Sequence, residues 1–251
     1  QIFFYYIKDK NKLSNLIDIL RILKVEETLT GNFLLANDYR LLSSRQQYPW
    51  KDTNGKTPLP INILEKIKQN WQWGGAWNGE GIVYAPTREL LLSKRKRIQE
   101  LLSDCVDSLN FIDEKILKVP SWLRLPFYWI TGHNLDVLKD AYRESIFYGT
   151  PTDLGIKSSY WRKKSTIPRN MDLDKDQCGV IWISPTVPFD GQDVIDATII
   201  LERILNKFGF EPNIGINCLT DRVISMTGEI IYDRSETGED SKAVSCYTEL
   251  L

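Results

Sequence analysis

Residues 178–234, CGVIWISPTVPFDGQDVIDATIILERILNKFGFEPNIGINCLTDRVISMTGEIIYDR, decide the fold. Cys178 to Ser184 is short and apolar and is closed by Pro185 and Pro188, as a buried strand would be. In the next segment Ala197, Leu201, Ile204 and Phe208 recur at threes and fours, so they share one face of a helix. Gly209 stands where a helix end needs a left-handed residue. Ile214 to Leu219 and Val223 to Tyr232 then read as two strands joined at Thr220, Asp221 and Arg222. One helix packed on one face of an antiparallel sheet is the split unit of a ferredoxin-like fold.

The N-terminal half repeats the order. Ile2 to Ile7 reads as a strand, Leu13, Leu16, Ile17, Leu20 and Leu23 mark a helix face, and Gly31 begins a return to an extended run. Gly81 to Ala85 is a further strand. Thr87 caps a helix with apolar residues from Leu90 to Leu102, and Leu109 to Ile112 closes this half. From Tyr39 to Trp77 the texture is polar and rich in Pro and Gly, which reads as a surface excursion with a short helix at Ile63 to Trp71. The expected class is α+β: two ferredoxin-like halves, residues 1–117 and 177–251, forming an antiparallel sheet with helices on one face. Residues 118–176 form a connector that can line a pocket.

Composition excludes several functions. At 251 residues with 42% hydrophobic side chains, the chain buries a substantial core. A net charge of -1 gives no bulk attraction to nucleic acid or to anionic membrane, and no run is long enough to span a bilayer. Four cysteines without CxxC spacing and a single His133 make no metal site. The cysteines suit a reducing, cytoplasmic setting. No phosphate-binding glycine loop, nucleophile elbow or metal-binding helix is present, so no catalytic residue is assigned. Gln1 and the uncapped helix end at Leu251 suggest a piece of a longer protein.

Several motifs carry a resemblance. WISPTVPFDG (182–191), GFEP (209–212), the TDR turn (220–222) and YDRSETGED (232–240) followed by the Cys246 helix resemble the cap domain of the vanillyl alcohol oxidase and p-cresol methylhydroxylase family of flavoproteins. The likeness extends upstream through ANDYRLLSSRQQYPW (36–50), GGAWNGEGIVYAP (74–86), GTPT (149–152) and SYWRKK (159–164). It implies the substrate side of an FAD-dependent oxidoreductase that moves hydride from a carbon attached to an aromatic ring to flavin N5. The FAD-binding domain and the family's phenol-contacting Tyr-Arg pair would lie outside these residues, leaving the fragment inactive by itself. A homodimer, a small aromatic substrate and an electron-acceptor protein are the partners the resemblance implies.

The resemblance also nominates residues. Counting back from Ser184 and Pro185, the family's covalent flavin position falls on Val180, whose side chain has no nucleophile, so FAD would not be attached there. Trp182 falls where relatives present an aromatic ring to substrate, although a core tryptophan reads equally well. Ile216 matches a substrate-facing position, and Ser225 with Met226 matches a place where relatives often have His; in that register the acidic groups some relatives aim at the reacting carbon are missing. Arg222 is a candidate for holding a carboxylate or the flavin pyrimidine, against an ordinary solvated turn charge. Tyr160 is a substrate candidate against a packing anchor, and Arg162, Lys163 and Lys164 read as solvated surface. Asp233 to Asp240 read as turn residues and an acidic helix start.

Two other readings stand beside this one. The chain is alternatively a ferredoxin-like binding or regulatory module without flavin, or part of an FAD oxidase of a hydroxy acid or alcohol. Several arginines in the pocket would favour the latter, and an aromatic lining would count against it.

Overall fold

A computed structural model describes residues 1–71, 74–131, 134–149, 151 and 153–251. The strands are β1 Ile2–Ile7, β2 Phe33–Asn37, β3 Trp77–Ile82, β4 Ser108–Ile112, β5 Cys178–Ile183, β6 Thr186–Pro188, β7 Asn213–Cys218 and β8 Val223–Asp233. The helices are α1 Leu13–Val25, α2 Asp38–Arg45, α3 Trp50–Thr53, α4 Ile61–Lys68, α5 Arg88–Leu102, α6 Lys115–Lys118, α7 Arg124–Thr131, α8 Leu135–Glu144, α9 Leu154–Lys157, α10 Gly191–Lys207 and α11 Glu239–Leu250. All strands join one antiparallel sheet in the order β4-β1-β3-β2-β7-β8-β5, with β6 also pairing β8. The first half runs βαββαβ in the ferredoxin-like order β4-β1-β3-β2. The second half runs ββαββα, and pairing of β2 with β7 fuses the two.

Local chemistry explains the elements. In α10 the Asp190 side chain accepts from Gln192 N at 2.9 Å, so the helix starts on a capped amide. Val194, Thr198, Leu201, Ile204 and Leu205 form its buried stripe, and Gly209 terminates it at φ +74°, where a side chain would be strained. Alternation on the strands sends Phe3, Tyr5, Phe33, Leu35, Ile214, Ile216, Ile224, Met226 and Ile230 to one face. There they meet the apolar faces of α1, α5, α10 and α11, so one core serves both halves. Of the apolar run in α5, Ile98 and Leu102 are buried whereas Leu90 and Leu92 are exposed.

Shorter elements cover much of the second face, which the sequence reading left bare. Ile2, Phe4, Ile82 and Ile112 pack there against Ile116, Leu138, Ala141, Tyr142 and Phe147, so the connector lies on β1, β3 and β4. The polar stretch from Tyr39 to Trp77 is not a surface excursion: Leu42, Tyr48, Leu59 and Leu64 are buried in it and pack with Trp161 and Ile231. Arg162 and Lys163 are likewise corrected from solvated surface to buried ion pairs, with Glu211 at 2.9 Å and Asp233 at 2.7 Å. Lys164 is exposed and pairs with Glu236.

Glu80 on β3 pins the connector, accepting hydrogen bonds from the Ser145 side chain and the Ile146 amide. Burial pushes its carboxyl above the usual range, and the two hydrogen bonds pull it only part of the way back. A raised folded pKa stabilises the fold below the unfolded value, and that stabilisation is lost as pH rises through the folded value. Glu80→Gln is therefore expected to protect residues 135–148 from amide exchange at neutral and higher pH, with little effect near the carboxylate pKa. Exchange that is equal in both proteins at all pH values would refute this.

Candidate functional site

Over β7, β8 and β5 the second face is only partly covered: Trp182 is 55% exposed, Val180, Asn217 and Thr227 are half-buried, and Asn213, Glu229 and Ser225 are buried. Asn213, Glu229 and Trp182 stand opposite one another across these three strands, and strand parity puts all three on this face. Next to them come Asn217, whose Nδ2 donates to Thr227 Oγ1 at 3.2 Å, and Ser225, whose Oγ lies 2.6 Å from Ser184 Oγ. Val180, half-buried, shares the face two residues before Trp182.

Arg40 reaches over this row from α2. Asn37 sets its position: the side chain of this N-cap accepts from Arg40 N at 3.0 Å and from Ile214 N at 3.2 Å, and donates to Pro212 O at 2.6 Å. The start of α2 is thereby tied to β7. Arg40 Nη2 lies 2.9 Å from Glu229 Oε1, and its Cζ lies 5.4 Å from the Trp182 ring centroid. Gly215 makes room for the guanidinium, since a β-carbon there would stand 3.2 Å from Arg40 Cζ and Nε. Burial pushes the Glu229 carboxyl above the ordinary range and Arg40 opposes that rise. Arg40 Nη1, Glu229 Oε2 and Asn213 Oδ1 are all buried without a hydrogen-bond partner among the described residues.

Of the residues nominated from sequence, the structure brings Val180, Trp182 and Ser225 to this face. Trp182 is 55% exposed, which excludes its reading as a core residue. Ile216 and Met226 are corrected: both are at 0% exposure on the helix-covered face, where they fill the core and cannot meet a ligand on the other side. Their strand neighbours Asn217 and Thr227 hold the open positions, a slip of one residue that exchanges faces. Tyr160 is corrected to a packing anchor, 1% exposed, with its hydroxyl donating to Asp176 at 2.5 Å. Arg222 is exposed at the β7–β8 turn, away from the row. His133, Thr150 and Thr152 lie outside the described residues.

Sequence reasoning missed Arg40, Asn213 and Glu229. The stretch holding Arg40 was singled out only as a motif, and strict alternation from the apolar Ile230 would have turned Glu229 to the open side. Glu229 is an acidic group on this face that the sequence reading did not place there. A cavity of about 160 Å³ lies elsewhere, between Trp50, Arg162, Lys164, Asp233 and Glu236, and shares no lining residue with the open face.

Known proteins share this fold. No family model matches the sequence. The 1'-carboxy-chondrochloren decarboxylase of Chondromyces crocatus is 35% identical over 251 residues, which is 100% of this chain and 46% of that protein. The structure of p-cresol methylhydroxylase with substrate bound superposes with a TM-score of 0.77 at 18% identity, covering 100% of this chain and 42% of that one. The 4-ethylphenol oxidase from Gulosibacter chungangensis, in its isoeugenol complex, gives 0.76 at 13% identity, with 99% and 42% covered. The chain thus spans less than half the length of each of these proteins. At the level of fold the resemblance carried by the motifs holds: this chain has the fold of the C-terminal part of p-cresol methylhydroxylase and of 4-ethylphenol oxidase.

Proposed function

We propose that the chain is the substrate-side portion of an FAD-dependent oxidoreductase that oxidises a carbon next to an aromatic ring. The observation that carries this reading is the open sheet face with a half-exposed Trp182, in a chain sharing its fold with p-cresol methylhydroxylase and 4-ethylphenol oxidase. The residues there fit an aromatic ligand. Trp182 offers an aromatic surface, and the Ser184–Ser225 and Asn217–Thr227 pairs offer hydrogen-bonding groups beside it. Bound FAD would supply the hydride acceptor. This chain's own part is to stack the substrate ring on Trp182 and present polar groups from Ser225, Thr227 and Asn217.

Val180 offers no atom for a covalent bond, so FAD is expected to be released on denaturation. The absorbance of the complete protein before and after acid precipitation tests this through the flavin bands at about 370 and 450 nm. Colour moving to the supernatant is the expected result. Colour retained in the pellet would place a covalent link at another residue and overturn noncovalent binding, and a protein that stays colourless with added FAD would overturn the flavin.

The 35% identical decarboxylase favours a second reading, in which the substrate carries a carboxylate that is lost as the ring-attached carbon is oxidised. Carbon dioxide released in step with flavin reduction would support it.

A further inference from the structure

The ion pair between Arg40 and Glu229 is only half used. Each partner commits one terminal atom to the other, Nη2 to Oε1, and each keeps a buried terminal atom without a partner among the described residues, Nη1 and Oε2. Leaving a buried donor and a buried acceptor unmade is costly, so such atoms call for an occupant. Glu229 is 2% exposed, whereas Trp182 over the guanidinium is 55% exposed. An arginine with a free edge, lying flat on the backbone at Gly215 beside an aromatic ring, is suited to a planar anion attached to a ring.

We infer that Arg40 and Glu229 form a carboxylate-recognising site for an aryl acid, whose ring stacks on Trp182 and whose carboxylate accepts from Arg40 Nη1. This rests on the open face being the substrate side, and it names residues and a charge state that the fold likeness does not. Arg40 and Glu229 together are neutral, so a bound carboxylate would leave an uncompensated negative charge in a buried place. Occupancy therefore takes up one proton from solvent. An O–H bond forms on Glu229 Oε2, which then donates to the ligand carboxylate, and no electron is transferred.

The surroundings permit this. The charged group facing Glu229 is Arg40 from α2, its cross-strand neighbours Asn213 and Trp182 are uncharged, and its same-face neighbours along β8 are Thr227 and Ile231. Burial already works against the ionised form of Glu229. Asn213 Oδ1, also unpartnered, lies in the same row.

Calorimetric titration of the complete protein with 4-hydroxyphenylpropanoate and with 4-ethylphenol, the same ring without the carboxylate, tests the inference. The acid is expected to bind about 10- to 100-fold more tightly, as one charge-assisted hydrogen bond provides. Titrations in two buffers of different ionisation heat should show uptake of about one proton. Glu229→Gln should bind the acid at least as tightly as the wild type at mildly alkaline pH, with no proton uptake. Arg40→Met should lose the preference for the acid. If that variant fails to fold, the uncharged double variant Arg40→Met with Glu229→Gln should fold and show no preference. Equal binding of the two probes, a preference that survives loss of Arg40, or proton uptake that persists in Glu229→Gln would each overturn the site. Because no turnover is measured, a flavin-free protein that still prefers the acid through Arg40 would keep this inference and sink the redox reading.

Discussion

Glu211→Ala is expected to destabilise the fold by about 3–5 kcal/mol, the cost of breaking a buried ion pair from one side. The Glu211 carboxylate accepts four hydrogen bonds: from Arg162 Nε at 2.9 Å, Arg162 Nη2 at 3.0 Å, Trp161 Nε1 at 2.8 Å and Leu59 N at 2.9 Å. Residues from three separate parts of the chain thus meet on one group that is 2% exposed. Truncation strands a guanidinium that is 4% exposed and lies over the rings of Tyr48 and Phe210, which cannot replace a counter-charge. It also orphans an indole and a backbone donor. Glu211→Gln keeps the shape and one acceptor, so it should fall between the wild type and the alanine variant. Urea denaturation measures both, and a loss below about 1 kcal/mol for Glu211→Ala, typical of an exposed pair, would refute the buried hub.

The second large effect belongs to Phe33→Ala, expected to cost about 3–5 kcal/mol through lost burial and the cavity left behind. Phe33 is at 0% exposure on β2, the strand that pairs with β3 of the first half and β7 of the second. Its ring centroid lies 5.7 Å from that of Phe189, at the entrance to α10. Both rings belong to the core that the two halves share. The variant should therefore unfold in one transition at lower denaturant, with far- and near-ultraviolet dichroism moving together. Two separated transitions, with the second half unaffected, would show that residues 1–117 and 177–251 fold independently and that the junction is a mere contact.

These two sites mark what local sequence can convey. The strands around Cys178–Ile183 and Val223–Asp233 and the stripe of α10 were legible because apolar period and flanking Pro or Gly report directly on backbone conformation. The second face was harder to read. The register borrowed from the resemblance put Ile216 and Met226 on the open side, against their apolar character, and a one-residue slip is enough to reverse every side chain. Residue type was the better guide there: Asn217 and Thr227, polar and alternating with those two, hold the open positions.

By itself the sequence determined the α+β class, the two ferredoxin-like orders and the motifs of the cap fold, all properties of short segments whose periodicity and turn residues act locally. Only the tertiary structure decided which charges are surface and which are buried. Arg162 and Lys163 look solvated in SYWRKK because their partners, Glu211 and Asp233, are 49 and 70 residues away. Arg40 likewise meets Glu229 only where α2 crosses the sheet. An ion pair depends on separation in space and on the water excluded around it, and neither is set until the chain has folded.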